Sequence, residues 1–254
     1  MSSAVIDSAG LQQLLSVLID RGYRVVGPRL SDNAIVLSEL TSADDLPRGW
    51  GVDVAPGRYR LRRRDDNALF GHSAGPQSWK QFLHPPRQRL WSSDGAEPDE
   101  PPRYAFIGVR ACDLSAIKIL NGVLGAGTHP DQGFVGRLKR IFVVAVNCTE
   151  PGGLCFCASM GTGPEVGPGY DLALTERIAD DSCHYVVDVG SDDGAGVLAA
   201  LPIGKSTKAK SIPHDNKSAR QLITWAVRCP TATCASCWWF RGNRRTGKTS
   251  PTDA

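Results

Sequence analysis

Leu11, Leu14, Leu15 and Leu18 recur at helical spacing within "IDSAGLQQLLSVLIDRGYRVVGP" and put four leucines on one face. Asp7 or Ser8 can cap this helix and Gly22 can end it, with a strand expected from Tyr23 to Val26. "NAIVLSEL" and "GRYRLRRRD" read as further strands, with turn chemistry at Asp32-Asn33 and Pro56-Gly57. The triplet Arg62-Arg63-Arg64, followed by Asp65-Asp66, reads as a solvated face. Further on, "RYAFIGVRACDLSAIKIL" is an apolar run, a turn carrying Cys112, and a helix that Asp113 can cap. "RIFVVAVNC" repeats the buried-strand pattern up to Cys148, and "CHYVVDVG" reads as a third such strand.

Strands alternating with helical segments predict an α/β fold, with a mixed or mostly parallel sheet and flanking helices. Cysteines stand at the strand exits, where open α/β sheets hold ligands. Three regions are expected: an N-terminal α/β region over 1–90, a cysteine-motif α/β region over 103–203, and a basic tail over 204–254 predicted to be disordered. An acidic, proline-rich connector, 91–102, separates the first two.

A hydrophobic fraction of 41% with 22% charged residues suits a soluble globular chain of 254 residues. No stretch approaches eighteen apolar residues, and "MSSAVIDSAGLQQLL" lacks the features of a signal peptide, so a cytoplasmic protein with no membrane partner is expected. In a reducing compartment eight cysteines point to metal or redox chemistry where they cluster, and to ordinary burial where they stand alone, as Cys183 does. Net charge is unevenly placed: 204–254 holds ten Lys and Arg against two acidic residues, about +8, while 1–203 is about −5.

Cys148, Cys155 and Cys157 lie in the Gly/Pro-rich stretch "NCTEPGGLCFCASMGTGP". Three thiols within ten residues, with glycines that let the backbone wrap a compact object, suit an iron-sulfur cluster or another soft metal. Cys112, on a neighbouring strand exit, can supply a fourth ligand. The other reading of the same spacing is three thiols lining a tight loop.

"GVRACDLSAI", "VVAVNCTEPGGLCFCASMGTGP" and "GYDLALTE", preceded by "HSAGPQSWKQFLHPP", together resemble an iron-sulfur subunit family. It includes the beta subunits of cytosolic sulfhydrogenases and the A subunit of anaerobic sulfite reductase. The resemblance covers roughly residues 1–203. It implies an electron-transfer subunit of an oxidoreductase, not its catalytic chain, with other subunits of a hydrogenase or reductase complex as partners; Cys112, Cys148, Cys155 and Cys157, singled out by their spacing, are the expected ligands of any iron-sulfur (4Fe-4S) cluster in this chain. In that family a ferredoxin-like module with two such clusters follows; its C-x-x-C-x-x-C-x-x-x-C-P runs do not occur in this chain.

The last fifty residues carry two apparent motifs, a Cys234-x-x-Cys237 pair and Gly242–Thr249 in the pattern G-x-x-x-x-G-K-[ST]. A phosphate loop needs a helix after its lysine, and only "TSPTDA" follows Lys248. Cys229, Cys234 and Cys237 with His214 have an unfamiliar spacing for zinc. A change of reading frame near residue 204 explains the charge switch, the missing module and the tail's composition together, so a truncated, out-of-frame tail is expected. The alternative function is nucleic-acid binding through the basic tail, with Trp238, Trp239 and Phe240 stacking on bases. A cysteine hydrolase is a third reading, with His72, His84, His129 and His184 as possible bases that no sequence context assigns to a cysteine.

Overall fold

The computed structural model describes residues 3–73, 75–89, 91, 93, 100–179 and 182–201. The basic tail, its CxxC pair and its apparent phosphate loop lie outside the described residues, as does most of the acidic connector.

In chain order the elements are β1 (Ser3–Asp7), α1 (Ser8–Asp20), β2 (Arg24–Ser31), β3 (Ala34–Glu39), a 3-10 turn (Ala43–Asp45), β4 (Trp50–Ala55), β5 (Arg58–Arg63) and α2 (Lys80–Leu83). Then come β6 (Tyr104–Val109), α3 (Ala111–Leu124), α4 (Gln132–Leu138), β7 (Phe142–Val146), α5 (Cys157–Met160), β8 (Leu172–Ala179), β9 (Ser182–Val189) and α6 (Asp192–Ala200). Seven strands form one mixed sheet in the order β1-β9-β8-β7-β6-β2-β3, while β4 and β5 form a separate hairpin. The four central strands β8, β7, β6 and β2 run parallel, and both margins are antiparallel. This is an α/β fold, with strands from both sides of the acidic connector in one sheet.

Two cores flank the sheet. Leu11, Leu14, Leu15 and Leu18 of α1 are fully buried against Ile107, Val144, Val146 and Tyr185. Each buried leucine contributes about 1.5–3 kcal/mol of transfer free energy. Asp7 caps α1, its carboxylate accepting the Gly10 N–H at 2.8 Å, and Gly22 turns the chain at φ 79°. On the opposite face Trp79, Leu83, Phe134 and Phe106 form a second core, with the Trp79 and Phe106 rings 4.8 Å apart.

Alternation along β7 sends Phe142, Val144 and Val146 to the first core and Val143 and Ala145 to the second, as period two requires. β6 breaks that rule. Ala105 and Ile107 face the first core and Phe106 the second, yet Val109 also joins the second, because the register shifts between Ile107 and Val109. Gly108, at φ 89°, makes this bulge.

The turn at Asp32-Asn33 has positive φ at both residues (48° and 58°), the conformation of a tight hairpin between β2 and β3. "CHYVVDVG" forms the expected strand, β9, antiparallel to both neighbours, with buried positions alternating along it. One sequence expectation needs correction. Arg62-Arg63-Arg64 is not simply a solvated face, since Arg64 is largely buried and bonded on three sides.

Candidate thiol site

Parallel strands bring their carboxyl ends to one edge of the sheet, and there β6 and β7 deliver cysteines. Cys112 lies in the first turn of α3, directly after β6, and Cys148 lies two residues beyond β7. The α3 start is fixed by Asp113, whose carboxylate accepts the Arg110 N–H at 3.0 Å. Asp113 thus acts from inside the first turn, where the sequence suggested the cap itself.

The loop after Cys148 is folded back by several local bonds. Cys148 N–H donates to the Pro164 carbonyl at 3.2 Å, and Val166 N–H donates to Asn147 Oδ1 at 2.9 Å. Cys155 Sγ accepts the Gly152 N–H at 3.2 Å, and Cys157 opens the short helix α5. Glycines are needed here for space: a Cβ on Gly163 would sit 3.2 Å from the Ala111 Cβ and 3.3 Å from Cys157 Sγ. Gly163 therefore lies between Cys157 and the start of the Cys112 helix.

The four cysteines share one electrostatic neighbourhood. Burial pushes the Cys112 thiol up to about 12, with Asp113 and the Cys157 and Cys148 thiols adding to the shift against Arg110. Burial also raises Cys157, helped by Cys155 and Cys148. Cys155 is exposed, while Cys112, Cys148 and Cys157 are partly covered. Cys183 stands apart at the start of β9, buried, with its Sγ against the Asn67 carbonyl.

Sequence spacing gave no hint of the polar frame around the thiols. Arg110, 5% exposed, donates from Nη1 to Cys148 Sγ at 3.3 Å and from Nη2 to the Phe70 carbonyl at 3.2 Å. His72 stands beside it, Nδ1 at 3.0 Å from the Ser73 carbonyl. Arg110 Nη2, which can only donate, lies 3.4 Å from the same nitrogen; the shorter contact, to a carbonyl that only accepts, is the one a proton on Nδ1 satisfies, and among the described residues Nε2 is then buried without a partner. Burial, then the Arg110 charge, hold the imidazole down at about 3, so it is neutral at working pH. Glu176 of β8 accepts the Leu69 and Phe70 N–H groups at 2.7 and 3.0 Å. Residues 69–73 are thus strapped across the carboxyl edge of the sheet from β8 to β6.

A second brace comes from the hairpin. Glu150 takes Arg62 Nη2 at 2.6 Å and also pairs with Arg64, which is held in turn by Asp66 and the Gly71 carbonyl. A Cβ on Gly153 would lie 2.4 Å from the Val54 carbonyl of β4, so only glycine lets the loop rest there. Arg110 in "GVRACD" and Glu150 in "NCTEPGG" stand two residues from a cysteine, which is the signal that could have singled them out.

Thiolates are the usual ligands of iron-sulfur clusters, so the donor chemistry suits such a group. The sulfurs are neighbours without forming a ligand shell: among the described residues no group of three or more His, Cys, Asp or Glu side chains is arranged to hold a metal ion. Local bonds account for part of this, since Cys148 Sγ is turned to the Glu150 carbonyl and Cys155 Sγ to the Gly152 amide. Among the described residues no helix is long and apolar enough to cross a membrane.

No profile of a known protein family matches the chain, and no solved structure does. Among curated proteins, the beta subunit of sulfhydrogenase 2 from Pyrococcus furiosus is 28% identical over 172 residues, which cover 67% of this chain and 43% of that protein. The chain thus matches less than half the length of this relative. At that identity the likeness is a distant, family-level resemblance.

Proposed function

We propose that the chain is an iron-sulfur electron-transfer subunit of a hydrogenase-like or reductase-like complex, with Cys112, Cys148, Cys155 and Cys157 as thiolate ligands of a 4Fe-4S cluster. The observation that carries this reading is that Cys112, Cys148 and Cys157, from two strand exits and one glycine-rich loop, lie in one electrostatic neighbourhood, with Cys155 beside Cys157. The resemblance to a named sulfhydrogenase subunit supports it.

When bound, such a cluster takes up and releases single electrons. The chain's own residues have three tasks. The thiols give up their protons to become ligands, which the buried Cys112 does least readily. Arg110 offers an N–H to Cys148 Sγ, and hydrogen bonds to sulfur are one of the protein's means of setting a cluster's potential. Glu150 and the strap over 69–73 hold the segments that carry the thiols.

Anaerobic reconstitution with iron and sulfide tests the reading. We expect visible iron-sulfur absorbance in the full chain and its loss in Cys155→Ser/Cys157→Ser, because a hydroxyl is a harder and far less acidic donor than a thiol. Cys183→Ser should load as the parent does. Equal absorbance in the parent and the double variant would rule out the assigned ligands.

A further inference from the structure

We propose that the surface around Cys155 docks a protein partner that presents carboxylates around a small apolar centre. This rests on the electron-transfer reading above, and concerns the partner that such a subunit requires.

The apolar part is the cysteine loop. Leu154, Phe156 and Met160 are 48%, 70% and 62% exposed, within seven residues that also carry Cys155 and Cys157. Aromatic and methionine side chains are enriched at the centres of protein interfaces, and large apolar groups gathered in the open mark such sites.

The charged part is the hairpin on which the loop rests. Alternation puts Arg58, Arg60 and Arg62 on one face of β5 and Tyr59 on the other. The Tyr59 hydroxyl accepts the Ile35 N–H at 3.1 Å, so its face is turned to β3. Arg62, on the opposite face, reaches Glu150 of the cysteine loop, which fixes the side on which Arg58 and Arg60 stand. Both are exposed, and among the described residues neither has a carboxylate within ion-pair distance, whereas Arg62 and Arg64 are already paired. Five arginines between positions 58 and 64 run against the sign of residues 1–203, whose net charge is about −5. Charge complementarity therefore selects an acidic partner. A nucleic acid fits less well, because phosphate binding needs an extended cationic track and on this face of β5 only Arg58 and Arg60, among the described residues, stand without a carboxylate partner.

The experiment is calorimetric titration of the full chain with an acidic ferredoxin, before and after anaerobic reconstitution, at several salt concentrations. We expect binding that weakens with salt. Arg58→Glu/Arg60→Glu should weaken it by about tenfold or more and flatten its salt dependence, and Phe156→Ser should weaken it about tenfold with the salt dependence kept. Lys139→Glu, exposed just before β7 at the opposite end of the parallel strands, should leave it unchanged. Absence of binding at low salt, an equal loss in Lys139→Glu, or tighter binding of a single-stranded DNA oligonucleotide than of the ferredoxin would each overturn the proposal. Retained binding in a chain that loads no iron would instead defeat the functional reading and leave the docking surface standing.

Discussion

His72 shows how one buried side chain reports on the whole frame. Its pKa is held at about 3, below the ordinary value of 6.5, so an unfolded chain takes up a proton that the folded chain refuses. For a histidine shifted down, stability is fully present above the unfolded pKa and falls as the pH drops below it, at about 1.4 kcal/mol per unit. Between pH 7.5 and 5 this amounts to about 2 kcal/mol. Replacement by Asn keeps a donor near the Ser73 carbonyl and removes the titration. Urea unfolding at the two pH values should therefore show a loss about 2 kcal/mol smaller in His72→Asn than in the parent, and equal losses would mean that His72 is not held neutral by its surroundings. None of this was legible from sequence, where His72 was one of four possible bases that no context assigned to a cysteine. Its burial comes from the strap over 69–73, which depends on Glu176 more than a hundred residues away.

At the scale of elements, local patterns were readable and long-range ones were not. The α1 leucines obey a period of 3.6, so the helix and its buried face could be read directly. The direction of β9 could not, because an apolar run has the same appearance in a parallel and an antiparallel strand. Cys112, Cys148, Cys155 and Cys157 could be singled out as candidates because their spacing is local. Their bracing by the hairpin joins Arg62 and Arg64 to Glu150 across more than eighty residues, and spacing carries no trace of it. That brace predicts that Glu150→Ala frees the loop. Hydrogen exchange of 148–160 should rise, with an opening free energy lower by about 1–2 kcal/mol, since these are charge-assisted bonds in a partly exposed place. Unchanged exchange would place the brace elsewhere, with Gly153 against Val54 the next candidate. The β6 bulge makes a separate prediction. Gly108→Ala forces an L side chain to φ 89° and 3.2 Å from Pro28, and should cost about 1–3 kcal/mol in chemical denaturation. A smaller loss would show that the strand straightens without strain.

On the scale of the whole molecule, the parallel centre of the sheet gathers the chemistry at one edge. The antiparallel margins are covered in part by the chain itself: Tyr59 and Gln77 accept the Ile35 and Leu37 N–H groups of the outer strand β3. What that edge holds decides the function. The most direct measurement is the iron and acid-labile sulfide content per chain after anaerobic reconstitution, in the parent and in the single variants Cys112→Ser, Cys148→Ser, Cys155→Ser and Cys157→Ser. A 4Fe-4S cluster held by all four cysteines requires about four of each per parent chain and a marked loss in every one of the four variants. Parent-like content in Cys112→Ser, whose sulfur is the one supplied by β6 and α3, would contradict a cluster shared between the two strand exits.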